Sequence, residues 1–141
     1  MAYAVGIVLA LLTCALARLV GFDRDRVFYP TILVIIASYY VLFAVMGGST
    51  RALIVESVVM TLFVTIAVVG FKSNLWLVVV ALAAHGVFDF AHGRIVSNPG
   101  VPAWWPAFCL AYDVVVAAVL AWMVLSRYSA VARSQAASAG N

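Results

Sequence analysis

The sequence predicts an all-α integral membrane protein with five transmembrane helices, its N-terminus outside and its C-terminus in the cytoplasm. Of the 141 residues, 67% are hydrophobic and only 9% are charged, whereas a soluble domain carries about 25% charged residues. A water-soluble domain of this size has too little interior to hide so much apolar surface. The chain also contains five apolar stretches, each close to the length of about 20 residues that crosses a bilayer.

The predicted spans follow one another without a linker or a second domain. The breaks between them are "GFDRDR", "GGST", "GFKSN" and "SNPGVP", whose Gly, Pro, Asn, Asp and Ser residues are typical of turns. The N-terminal stretch lacks the basic start of a signal peptide and its apolar run is too long, so we interpret it as the first helix. We expect a bundle over residues 1–126 and a polar, flexible cytoplasmic tail over residues 127–141. The five spans are predicted at about residues 2–20, 27–46, 51–69, 75–96 and 104–125.

The basic residues predict the orientation of the bundle. Arg51 and Arg94 fall on one side of the predicted membrane, and six basic residues fall on the other: Arg18, Arg24, Arg26, Lys72, Arg127 and Arg133. The side richer in Lys and Arg faces the cytoplasm, so we expect the loop before the fifth helix to face outward. The basic residues are spread too thinly to indicate nucleic-acid binding. We predict a multi-pass protein of the plasma (cytoplasmic) membrane, with membrane lipid as a partner and a homo-oligomer left open.

Three acidic residues and both histidines lie inside the predicted spans, where charge is rare. An ionised side chain at the bilayer centre costs about 2.5–3.5 kcal/mol on insertion scales. Glu56, Asp89 and Asp113 each fall roughly 7–14 Å below the outer surface at the rise of an α-helix. His85 lies deeper and His92 nearer the surface. We therefore predict that helices two to five form a polar pocket in the outer half of the membrane and that it opens outward.

The stretch "HGVFDFAHG", residues 85–93, carries both histidines with an aspartate between them. On an α-helix, His85, Asp89 and His92 share one face within an arc of about 60°. The two histidines lie about 10 Å apart along the axis, which is too far to hold one metal ion by themselves. Asp89 can fix the tautomer of one imidazole and leave the other ring nitrogen to act as a base or a ligand.

Aromatic and basic residues near the predicted pocket are candidates for substrate binding. The adjacent tryptophans are also typical of an interface belt, and Arg94 of a side chain that reaches lipid phosphate. Gly86 and Gly93 leave space for a neighbouring helix, which is the favoured interpretation, or for substrate. We interpret Asn98 as part of a turn and the two cysteines as small buried hydrophobes. The substrate-binding candidates are Tyr39, Tyr40, Tyr112, Arg94, Trp104 and Trp105.

Three functional hypotheses follow. The leading one is an enzyme acting on a lipid or isoprenoid-like apolar molecule, in which His85, Asp89 and His92 exchange protons and Glu56 or Asp113 is held protonated as the acid. In a metal-dependent form, His85, Asp89 and His92 are ligands, and the carboxylates add donors suited to Zn²⁺ or Fe²⁺. The cofactor is left open between these ions and none.

The other hypotheses are a proton-coupled carrier and a purely structural or interaction protein. In the carrier, Glu56 and Asp89 would change protonation during transport, and five spans would require a dimer. In the structural alternative, the polar groups only join helices, at about 0.6 kcal/mol for each contact. Five titratable groups at one depth favour a functional site over such contacts.

The stretch "HGVFDFAHG" resembles the HG-x-x-D motif in the Brp/Blh family of membrane carotene-cleaving dioxygenases. The match covers nine of the 141 residues. On the motif positions, the resemblance implies that His85 is a candidate iron ligand and that Asp89 orients it. In that family several histidines hold a ferrous ion, whereas this shorter chain has two, fewer than a four-histidine site needs. The resemblance therefore implies a similar kind of site within a membrane helix and a long apolar substrate.

Overall fold

The residues that the structure describes form five long helices and no strand. The structure is a computed structural model that describes the backbone of residues 1–139 and the side chains of residues 1–129. Each helix contains a segment long and apolar enough to cross a membrane, so the prediction of an all-α protein with five spans is confirmed. The orientation of the termini stays a prediction. The helices are α1 (Ala2–Val20), α2 (Phe28–Met46), α3 (Thr50–Lys72), α4 (Leu75–Ile95) and α5 (Trp105–Ala139).

The helix ends lie within one residue of the predicted spans except at two C-terminal ends: α3 ends at Lys72, three residues later than predicted, and α5 differs more. We expected this helix to end near Leu125, but it continues to Ala139. The segment after Leu125 contains no proline, and its first glycine is Gly140. Its Ala, Arg and Gln residues favour helix, so the helix extends beyond the apolar segment. The flexibility of residues 127–141 stays a prediction, and the last two residues lie outside the described part of the chain.

The helices pack side by side in the order α1, α5, α4, α3, α2. Small buried residues let α1 approach α5, and a Cβ added at Gly6 would overlap the carbonyl oxygen of Phe108. Because α1 and α2 stand at the two ends of this order, a cleft remains between them with α5 as its floor.

One end of the bundle, which we call the basic end, carries Arg18, Arg26 and Arg127. Arg18 Nη1 lies 3.2 Å from Asp23 Oδ2. Arg26 donates to two carbonyl oxygens at the C-terminal end of α3, and Arg127 donates to the carbonyl of Asp23. These contacts tie the α1–α2 loop to α3 and α5, and a positive side chain at a helix C-terminus is electrostatically favourable.

At the opposite end, the α4–α5 loop packs against the C-terminus of α2. A Cβ added at Gly100 would overlap the carbonyl of Phe43 and would lie 2.9 Å from the nitrogen of Gly47. The loop can therefore approach this closely only with glycine at position 100. The contact fixes the position of Asn98, two residues earlier, over the helices.

We expect Gly100→Ala to lower the free energy of unfolding by about 1–3 kcal/mol, because the added carbon forces the backbone apart. Unfolding of the purified protein in detergent, followed by circular dichroism, measures the change. Gly93→Ala is the matched control, since a Cβ there meets nothing within 4 Å and alanine favours helix over glycine. Equal losses in the two variants would contradict the close approach at Gly100.

Candidate functional site

The five titratable side chains that the sequence places inside the spans converge in the half of the bundle away from the basic end. Each is nearly inaccessible, with 0–2% of its surface exposed. They form two groups. His85, Asp89 and Asp113 make up what we call the triad. His92 and Glu56 make up a second pair.

The triad joins α4 to α5. His85 Nδ1 lies 2.7 Å from Asp113 Oδ2 and 3.3 Å from Asp89 Oδ2. Asp89 is placed by the helix itself, four residues after the histidine. Asp113 is placed by close packing at Gly86, where an added Cβ would lie 3.4 Å from the Asp113 Cβ. At this distance α5 is in ordinary van der Waals contact with Gly86, whereas a Cβ at Gly93 would meet nothing within 4 Å, so the packing interpretation holds for Gly86 and is wrong for Gly93.

The triad contains more hydrogen-bond acceptors than donors. Oδ1 of Asp89 and Oδ1 of Asp113 are buried and have no hydrogen-bond partner among the described residues, and Asp89 Oδ2 has only its 3.3 Å contact with His85 Nδ1. An unpaired buried carboxylate is costly, and the cost is greatest where lipid and apolar side chains exclude water. The triad therefore suits a bound cation or additional protons.

The second pair joins α3 to α4. His92 Nε2 lies 2.7 Å from Glu56 Oε1, and Asn98 Nδ2 donates to the same oxygen at 3.1 Å. Asn98 Nδ2 also donates to the carbonyl of Tyr40 at 3.0 Å. The Tyr40 ring stacks on the His92 imidazole with centroids 4.0 Å apart. Glu56 Oε1 thus has two donors, whereas Glu56 Oε2 is buried without a partner among the described residues, as is Asp113 Oδ1.

The structure places the metal ligands predicted from the sequence in two different groups. We expected His85, Asp89 and His92 to serve together, but His92 faces Glu56 and is not part of the triad. Seven residues along one helix separate the histidine rings by about 10 Å. Asp113, which the sequence suggested only as an additional donor, is the third member of the triad.

Apolar and aromatic side chains close the cluster off from its surroundings. Phe63 packs edge-on to His85 with centroids 4.8 Å apart, and Phe88 packs edge-on to His92 at 5.4 Å. Of the predicted substrate-binding residues, Tyr40 is the one that lies within this cluster. Its hydroxyl is buried without a partner among the described residues and lies near Asp89.

Four other predicted substrate-binding residues line the cleft between α1, α2 and α5, which has a volume of about 580 Å³. Cys109, one helical turn before Asp113, also lies in its wall and is 3% exposed. The Cys109 thiol is close enough to Asp89 and Asp113 to interact with them electrostatically. Cys109 therefore belongs to the cleft wall and lies near the acids of the triad. The four residues are Tyr39, Trp104, Trp105 and Tyr112.

Two smaller cavities lie beside the α4–α5 loop. One, of about 370 Å³, is lined by His92, Gly93 and Asn98, so it borders the second pair at His92, which is 2% exposed. The other, of about 260 Å³, is lined by Arg51 and Arg94 and does not touch the triad. Arg94 thus lies apart from the cleft and the acids, and its interaction with lipid phosphate stays a prediction.

Asn98 and Cys109 are site residues that sequence reasoning missed. Asn98 does belong to a turn, since its Oδ1 accepts from Gly100 N at 3.3 Å, but its amide nitrogen also contacts Glu56. Cys109 is buried as expected, yet it borders both the cleft and the acids. The spacing of Cys109 and Asp113, four residues apart on one helix face, was the available signal.

The fold and this site define a multi-pass membrane protein with a buried histidine–carboxylate cluster. Comparison of the chain with models of known protein families, with curated proteins and with solved structures found no match. The resemblance of residues 85–93 to the Brp/Blh dioxygenases therefore stays a prediction.

We expect Asn98→Ala to lower the free energy of unfolding by about 1–3 kcal/mol, because it removes a buried donor from the Glu56 carboxylate. Unfolding in detergent measures the loss. Ser97→Ala is the matched control, because Ser97 lies next in the same loop and is exposed. An Asn98 variant as stable as the Ser97 variant would show that the amide contributes nothing to the site.

Proposed function

We propose that the protein is an intramembrane enzyme in which the triad performs acid–base chemistry on a lipid-like or isoprenoid-like apolar molecule bound in the cleft. The observation that carries this proposal is the position of the triad. Its carboxylates are buried and incompletely partnered, and Asp113 lies one helical turn after Cys109, which lines an apolar cleft. Positioned histidine and carboxyl groups are the usual proton donors and acceptors of enzymes.

The cleft suits a substrate that arrives from the bilayer. Its volume of about 580 Å³ falls within the range of small-molecule sites. Val5, Leu9 and Ile35 line it and are each 43% or more exposed on the outer surface of the bundle. The indole N–H of Trp105 is buried without a partner among the described residues. It can donate to a polar group on an otherwise apolar substrate.

In the proposed mechanism, His85 holds or transfers a proton at Nδ1, the atom that faces both aspartates. Asp113 orients the imidazole and stabilises its charged form. The Glu56–His92 pair exchanges protons with the polar cavity at the α4–α5 loop, which His92 and Asn98 line. Tyr40 stacks on His92 and lies near Asp89, so it can connect the pair to the triad.

The packing between the site and the basic end favours an enzyme over a carrier. Leu33, Leu82 and Leu120 are at most 1% exposed and belong to a continuous apolar core. A carrier requires polar groups along its path through the membrane. A purely structural cluster is also disfavoured, because a contact that only joins helices has no use for unpartnered buried oxygens.

The proposal is tested by blocking the cleft. Wild-type protein is reconstituted in vesicles made from total lipid extract of the expression host, and the lipids are compared by mass spectrometry with those of protein-free vesicles. We expect one lipid species to be consumed and another to appear. In Leu9→Trp, a large ring fills the cleft from α1, and the conversion should fall at least tenfold, a loss of about 1.4 kcal/mol in transition-state stabilisation.

Leu12→Trp is the matched control, since Leu12 lies on the same helix, is exposed and does not line the cleft. We expect it to keep the wild-type conversion. If both tryptophan variants convert lipid as fast as the wild type, the cleft does not bind the substrate. If the wild type changes no lipid species in its vesicles, the enzyme proposal is wrong.

A further inference from the structure

We infer that the triad is a binding site for one divalent transition-metal ion, held by His85 Nδ1 and by the carboxylates of Asp89 and Asp113. The inference deepens the proposed function, on which its catalytic meaning rests: the ion would take the place of the proton at His85 Nδ1. Metal binding itself can be measured without activity. It differs from the sequence-based metal hypothesis in its ligands, because Asp113 replaces His92.

The distances suit metal coordination. One ligand atom from each of the three residues lies within 4.8 Å of the others. Bonds of about 2.0–2.2 Å to nitrogen and oxygen, in tetrahedral geometry, separate ligand atoms by about 3.4 Å. His85 Nδ1 and Asp89 Oδ2 are already 3.3 Å apart. The 2.7 Å hydrogen bond from His85 to Asp113 would open by about 0.7 Å to reach that tetrahedral separation, which a small rotation of the carboxylate allows.

The charge of the triad also suits a divalent ion. Two ionised carboxylates and a neutral imidazole carry a charge of −2, which such an ion neutralises. The three oxygens without a hydrogen bond, both on Asp89 and one on Asp113, would become ligands or lie beside the ion. The second pair differs in its charge: it has one carboxylate for one imidazole, and Glu56 Oε1 also contacts the Asn98 amide, although Glu56 Oε2 has no partner among the described residues.

The donor set indicates the class of ion. One imidazole nitrogen with carboxylate oxygens suits Zn²⁺, Fe²⁺ or Mn²⁺, whereas soft ions prefer thiolate ligands. Three protein ligands leave a coordination position free, as in catalytic metal sites. His85 Nδ1 must be free of its proton to bind, so a neutral imidazole would carry its proton on Nε2, and a protonated one would release its Nδ1 proton. The bound ion would then activate water or polarise a substrate oxygen.

The test measures metal in the whole protein purified in detergent from cells grown with added zinc, iron and manganese. We expect about one ion per chain by elemental analysis. Asp89→Asn and Asp113→Asn should each lower this content at least tenfold, since an amide is a weaker ligand of nearly the same shape. The control is Asp23→Asn, which removes a carboxylate that is 3% exposed at the basic end and should keep the wild-type content.

Cobalt titration of the chelator-treated wild type provides a second measurement that needs no variant to fold. We expect saturation at about one Co²⁺ per chain, with the visible absorption bands of a site of low coordination number. Wild-type protein that carries no metal as purified and shows no saturable cobalt bands overturns the inference. Metal retained equally in both triad variants overturns it as well.

These outcomes are distinguishable from those of the proposed function. Lipid conversion by a metal-free wild type would support the acid–base enzyme and contradict the metal site. A stoichiometric ion without lipid conversion would support the metal site and contradict the proposed enzyme.

Discussion

His92→Leu is expected to lower the free energy of unfolding by about 3–5 kcal/mol, the usual cost of removing one partner of a buried ion pair. Glu56 is 1% exposed and accepts at 2.7 Å from His92 and at 3.1 Å from Asn98. In this variant, the Asn98 amide is the one donor among the described residues that still contacts the Glu56 carboxylate. Denaturant unfolding in mixed micelles, followed by circular dichroism, measures the loss.

The double variant Glu56→Leu/His92→Leu separates the cost of an unpaired carboxylate from the cost of altered packing. Replacing a whole buried pair by apolar residues is often neutral or stabilising. We therefore expect the double variant to recover most of the stability lost in His92→Leu. If it is instead as unstable as the sum of the two single variants, the loss comes from shape, including the stacking of Tyr40 on His92.

The helices were predictable because an apolar run long enough to cross a bilayer is a strong local signal. The ends of α1 and α4 lie within one residue of the predicted spans. The predicted C-terminal end of α5 was wrong because the prediction relied on the same hydropathy signal. Hydropathy marks where the apolar segment stops near Leu125, whereas the helix stops only where backbone hydrogen bonding does.

The members of the site were predictable, but their partners were not. An acid or a histidine inside an apolar span is conspicuous whatever it contacts. Helical spacing correctly places His85 beside Asp89, but the shorter contact of His85 is with Asp113, 28 residues away. That contact depends on how closely α5 approaches Gly86. The role of Asn98 likewise depends on the loop contact at Gly100, which helical periodicity cannot predict.

Asp113→Asn is expected to slow the lipid conversion by about 10²–10⁴-fold, the usual contribution of a positioned acid–base group. The Asp113 carboxylate lies 2.7 Å from His85 Nδ1, and an amide can neither take up the imidazole proton nor bind a metal ion as strongly. The rate is measured in vesicles with the protein in excess over the converted lipid. Asp23→Asn is the control and should keep the wild-type rate, because Asp23 contacts Arg18 at the basic end.

A double variant decides whether the triad acts as one unit. His85→Gln should slow the conversion about as much as Asp113→Asn, since the imidazole and the carboxylate share one proton or one ion. Residues that act together give losses that do not multiply, so His85→Gln/Asp113→Asn should be little slower than either single variant. If the two losses multiply instead, His85 and Asp113 act at separate steps. The close contact between them would then be structural, and the chemistry would belong to another pair of groups in the cluster.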